Sequence, residues 1–236
     1  MSTSAAPALC LALLLVAAAA QAQDEKTLYP GFDERYGIAS GADLGSLLDR
    51  PSLVSMKSRR YWDAEAGEWR LEGRGEAQGL YDLDFAQLRA VLDDPASATL
   101  YSPRVLAARI EEREGQRLVM YQKVGLGFLG LKLGYSFRAE QVRDDLGPGE
   151  VGYRIRLLES LDGSFFELYS SWYARQVLID GRPLVYIRYY SRPGIRRPGL
   201  GMDLIIGKVT PPELRSSIDR VAAEAKRRAE SARKGL

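Results

Sequence analysis

Between Arg104 and Ser191 apolar and polar residues alternate in six consecutive runs, and a single stretch of helical periodicity, Thr210 to Arg228, follows them. Period two marks strands with one buried and one wet face, whereas a period near 3.6 marks an amphipathic helix. The runs are Val105 to Glu112, Arg117 to Phe128, Leu131 to Val142, Gly152 to Glu159, Phe165 to Ile179 and Pro183 to Ser191. Glu114-Gly115, Gly147-Pro148-Gly149, Asp162-Gly163 and Asp180-Gly181 separate them with hairpin chemistry. Tyr135, Phe137 and Ala139 share one expected inner face, as do Val151, Tyr153, Ile155 and Leu157 on the next strand. Phe166, Leu168, Ser170, Trp172 and Ala174 form another, and Leu184, Tyr186, Arg188 and Tyr190 a fourth.

Upstream, Trp69, Leu71, Gly73, Gly75, Ala77 and Gly79 alternate with charged or amide residues, which predicts a half-buried strand starting near Glu68. Its inner face is so small that a helix is expected to pack closely on it. Asp82 or Asp84 caps a short helix bearing Phe85, Leu88, Val91 and Leu92, and Asp93-Asp94-Pro95 ends it. A second short turn passes through Thr99-Leu100-Tyr101. In the last helix Thr210, Pro211 and Glu213 read as N-cap, first helical position and capping box. Leu214, Ile218, Val221, Ala222 and Ala225 make its apolar stripe.

The expected class is therefore α+β: a curved antiparallel sheet of about seven strands wrapped around a long C-terminal helix, with one or two short helices after the first strand. Residues 23–67 are polar and lack sustained periodicity, so they read as an extension, either draped over the domain or closing a pocket as a lid. The domain spans 68–230 and a short tail, 231–236, ends the chain.

Composition changes this picture in two ways. The apolar run Ala8 to Ala20, followed by Ala20-Gln21-Ala22, reads as a cleaved signal peptide over residues 1–22, and predicts a periplasmic or secreted protein. The run is shorter than the ~20 residues of a spanning helix. The chain has no histidine, and Cys10, its one cysteine, lies within that segment. Thiolate chemistry, Ser-His-Asp triads and zinc sites built on His or Cys are excluded from the mature chain. A formal net charge of +2 gives no whole-protein argument for nucleic acid. No cofactor and no metal is expected. Gly125, Gly127 and Gly130 have the spacing of a dinucleotide fingerprint, but they fall between two antiparallel strand patterns and read as a bulged hairpin.

Strand, helix, six strands and a long last helix is the order of the helix-grip fold. With the first strand running into Asp82-Leu83-Asp84-Phe85, and Tyr101-Ser102-Pro103-Arg104-Val105 entering the second, the chain resembles the START-like superfamily of polyketide cyclases, pollen-allergen-type proteins and coenzyme Q-binding proteins. That resemblance implies a lipid or other apolar small molecule held between sheet and helix. Tyr135, Phe137, Tyr153, Ile155, Trp172, Tyr186, Arg188, Leu214 and Ile218 are the candidate ligand-binding residues, with core filling as the alternative for each aromatic. Arg188 either orients a polar head group or pairs with a nearby glutamate. Arg192, Arg196 and Arg197, on an expected loop Ser191 to Lys208 that also carries apolar residues, are candidates for transient membrane contact. Three functions stay open: an exported binding or transfer protein, a cyclase or aromatase-type enzyme using the same pocket, and an interaction protein with a filled core.

Overall fold

A computed structural model describes residues 36–128, 131–199 and 202–235; the expected signal peptide lies outside them. Eight strands form one antiparallel sheet: β1 (Ser52–Asp63), β2 (Glu68–Tyr81), β3 (Val105–Glu114), β4 (Arg117–Phe128), β5 (Leu131–Gly147), β6 (Glu150–Ser160), β7 (Phe165–Ile179) and β8 (Arg182–Arg196). Their spatial order is β1-β2-β8-β7-β6-β5-β4-β3. The helices are α1 (Phe85–Leu92), a short α2 (Ala98–Tyr101) and α3 (Met202–Arg233). Asp84 caps α1 as expected, accepting from the backbone N–H of Ala86 at 2.7 Å and Gln87 at 3.3 Å.

The hairpin turns fall where the glycines require them. Asp180 and Gly181 both have positive φ (50° and 75°), the geometry of a tight hairpin between β7 and β8. Phe128 pairs with Leu131 across the β4–β5 turn, so the glycine-rich stretch joins two antiparallel strands; Leu129 and Gly130 lie outside the described residues.

Two elements differ from expectation. The sheet has eight strands, because Ser52–Asp63 pairs with β2 within the stretch read as an extension. A register shift between Leu53 and Ser55 breaks the period-two pattern, and β1 is an edge strand whose outward positions, such as Lys57 and Arg59, face water. The last helix starts at Met202 rather than at Thr210, so Pro211 and Pro212 lie inside it and the capping box does not form. The two prolines lack N–H groups, which removes two intrahelical bonds.

α3 packs along β2, β1 and α1. Leu214, Ile218, Val221, Ala222 and Ala225 join Ala77, Tyr81, Leu88, Val91, Val185 and Ile187 in one buried cluster. Towards the N-terminal end of the helix a second cluster gathers Leu71, Met120, Tyr135, Phe137, Phe165, Ile195, Met202 and Ile206. The small inner face of β2 is where the helix approaches: a Cβ on Gly75 would overlap Leu214 Cδ1.

The opposite face of the sheet is also covered. Residues 36–48 lie on it, with Leu47 packed among Leu80, Tyr173, Leu184 and Tyr186. Tyr36 stacks on Tyr173 at 5.8 Å and donates to Asp144 Oδ2 at 2.7 Å. The Ala39 N–H donates to Tyr186 Oη at 3.0 Å, and Tyr186 donates to Gln78 Oε1 at 2.8 Å. Beside them Arg188 pairs with Glu76 and donates from Nη1 to the Gly37 carbonyl at 3.1 Å. Glu76 is 1% exposed and Arg188 7%, so this ion pair is buried.

Gly75→Ala is expected to cost about 1–3 kcal/mol through overpacking against Leu214, outweighing about 0.4–1 kcal/mol gained from a stiffer unfolded chain. Urea unfolding measures the net loss, and adding Leu214→Ala should recover part of the Gly75→Ala penalty relative to Leu214→Ala alone. Glu76→Gln leaves the Arg188 charge buried without its carboxylate and is expected to lower stability by about 3–5 kcal/mol. A loss below about 1 kcal/mol in the same measurement would mean that the pair is hydrated as surface pairs are.

Candidate functional site

Because α3 sits to the β2 side, the inner faces of β4 to β8 are not fully covered, and a cavity of about 340 Å³ opens between them and the helices. Its deep wall is apolar: Met120, Phe137, Ile155, Phe165 and Leu168 come from the sheet, with Val91 and Leu92 from α1. Trp172 and Tyr189 stack on adjacent strands, with ring centroids 4.2 Å apart and planes 26° from parallel. Polar groups are few. Ser170 and Ser191 are cross-strand partners on the wall, and Gln141 donates to the Leu92 carbonyl at 2.9 Å, tying β5 to the end of α1. Burial pushes the Tyr101 hydroxyl up to about 12 and raises that of Tyr189, so both remain neutral phenols at ordinary pH.

Of the residues expected to bind a ligand, Phe137, Ile155 and Trp172 line this space. Tyr135 stands beside it, its ring 5.2 Å from Phe165 in the second core cluster. Tyr153 is fully buried under α1 and donates to Asp93 Oδ1 at 3.0 Å; burial raises its pKa first, and the Asp93 carboxylate adds to this. Leu214 and Ile218 are core residues that fasten α3 to the sheet, and the helix turns a neighbouring strip, Glu213, Ser217, Arg220 and Val221, towards the cavity.

Tyr186 and Arg188 lie on the other face and do not line the cavity. On β8 the inward residues are Val185, Ile187, Tyr189 and Ser191, one position out of phase with the expected set. Both sets are mostly apolar or aromatic because both faces of β8 are covered, and alternation then carries no information about direction. A register shift between Phe165 and Glu167 likewise brings Phe165 inward, whereas the Arg70 guanidinium lies over the Phe166 ring.

The three arginines expected on a basic loop belong to a strand or its end, since β8 continues to Arg196. Arg192 is buried and pairs with Glu167 at 3.3 Å; desolvation raises the Glu167 pKa, and the Arg192 charge opposes it. Arg196 and Arg197 both pair with Glu68, at 3.1 and 3.0 Å. Sequence reasoning missed Tyr101, Arg104, Gln122, Tyr189 and the Glu213–Arg220 strip. Polar residues at helical spacing ordinarily mark a solvated face, and only the offset position of α3 makes this strip part of the cavity.

No protein-family model matches the sequence, and neither does any curated protein sequence. Solved structures do match in fold. A STAR-related lipid transfer protein fragment from Xanthomonas axonopodis superposes with a TM-score of 0.51 at 12% identity, covering 71% of this chain and 98% of that one. Human STARD10 superposes with a TM-score of 0.52 at 11% identity, covering 78% of this chain and 76% of that one. Eight antiparallel strands, a long C-terminal helix and these superpositions together give the chain the START-like helix-grip fold.

Proposed function

We propose that the protein binds and carries a lipid or other apolar small molecule in the cavity between its sheet and α3. The carrying observation is the cavity itself: about 340 Å³ with a mainly apolar wall and a few placed polar groups, within the ~300–1,000 Å³ range of small-molecule sites. An unfilled space of this kind speaks against an interaction protein with a solid core. A fold shared with a protein named for lipid transfer supports the same reading. The depth of the cavity also contains little for acid-base chemistry, since its tyrosines Tyr101 and Tyr189 stay protonated and the charged lining residues stand at the rim. The N-terminal apolar run Ala8 to Ala20 supports action outside the cytoplasm. A carrier must meet a membrane at least briefly to load, and Arg196 and Arg197 remain the exposed members of the basic group expected there.

Mass spectrometry of an organic extract of the gently purified protein is expected to show one apolar molecule per chain. Ile155→Trp and Leu168→Trp place bulk in the cavity and are expected to weaken binding of a fluorescent fatty-acid probe by about tenfold or more, roughly 1.4 kcal/mol, with circular dichroism unchanged. Absence of extractable ligand together with no probe uptake by the unsubstituted protein would defeat the carrier reading.

A further inference from the structure

The rim of the cavity carries charge that its depth lacks. Arg104, in the connection between α2 and β3, and Arg220, on α3, approach Glu213 from two sides. Arg104 Nε lies 3.4 Å from Glu213 Oε2, and Arg220 Nη1 lies 2.6 Å from Oε1. The three side chains are 29%, 26% and 24% exposed, so they stand at the boundary between the apolar wall and water. They are the charged members of the lining, and among the described residues Glu213 is the only carboxylate in ion-pair reach of either guanidinium. Two positive charges therefore share one negative charge. Each guanidinium offers five N–H donors in a planar fork, more than a single carboxylate can satisfy for both. The Ser217 hydroxyl donates to the Glu213 backbone carbonyl at 2.8 Å and so does not compete with the arginines for the Glu213 carboxylate.

We infer that the cavity takes a single-chain amphiphile with a carboxylate head group, its chain in the apolar depth and its head held between Arg104 and Arg220. This deepens the carrier reading and rests on it. A bound carboxylate brings the rim to two charges of each sign, and its two oxygens match the guanidinium forks. The cavity volume, near the lower end of the range for small-molecule sites, suits one chain rather than two. Partial exposure of the rim makes the attraction sensitive to salt.

The test is a calorimetric titration of the full chain at neutral pH with palmitate and with hexadecanol, which differ in head group and share a sixteen-carbon chain of about the same length. Palmitate is expected to bind about tenfold more tightly, as a charge-assisted contact predicts, and the difference should shrink as salt is raised. Arg104→Gln and Arg220→Gln should each collapse the acid-over-alcohol preference, and Glu213→Gln should enlarge it by removing the competing carboxylate. Arg220→Lys, which keeps the charge and loses the fork, should retain an intermediate preference. Equal binding of acid and alcohol by the unsubstituted protein would overturn the head-group assignment and leave the apolar cavity standing. Binding of neither would overturn both.

Discussion

The close seating of α3 on β2 governs the architecture. Leu214 enters the space that the missing side chain of Gly75 leaves, and Ala77 and Gly79 keep the same strand face low. A helix placed this near one side of a curved sheet cannot also fill the other side. The inner surfaces of β4 to β7 then depend on α1, α2 and their own aromatic side chains for cover, and a space remains. Small residues on one strand thus determine where the protein is hollow.

The reverse face of the sheet obeys another constraint. Glu76, Arg188, Glu167 and Arg192 are buried polar residues on β2, β7 and β8, and each carboxylate has a guanidinium partner. Pairing offsets the desolvation that isolated charges would suffer, and residues 36–48 complete the cover through Tyr36 and the backbone at Gly37 and Ala39. Sheet and helix are therefore only two of three layers along much of β8. Among the described residues, the lining of the cavity itself carries charge only at Arg104, Glu213 and Arg220.

Much of this was legible in the sequence wherever one face of an element meets water. The strands from Arg117 to Ile179 begin or end close to their expected positions because glycine-containing turns delimit them, and the stripe from Leu214 to Ala225 is the buried face of α3. Legibility failed where alternation breaks or where both faces share a character. Edge strand β1 packs Leu53 and Met56 against the core with a register shift between them, so the two fall three residues apart and no alternation announces the strand. Strand β8 is covered on both sides, so Tyr186 and Tyr189 could not be told apart by pattern, although only Tyr189 lines the cavity. The signals at Thr210, Pro211 and Glu213 are those of a helix start, yet packing by Met202 and Ile206 extends the helix two turns earlier. Glu213 is consequently free to serve as the bridge between two arginines.

A hollow interior also links ligand load to the folding equilibrium. Side chains such as Met120, Ile155 and Leu168 lack packing partners on the side that faces the cavity, and whatever occupies it supplies the missing dispersion contacts. An occupant bound only by the folded chain, present at one hundred times its dissociation constant, raises unfolding free energy by about 2.7 kcal/mol. Resistance to heat, denaturant and proteolysis would thereby rise with occupancy of the cavity, and the empty chain would be the softer state.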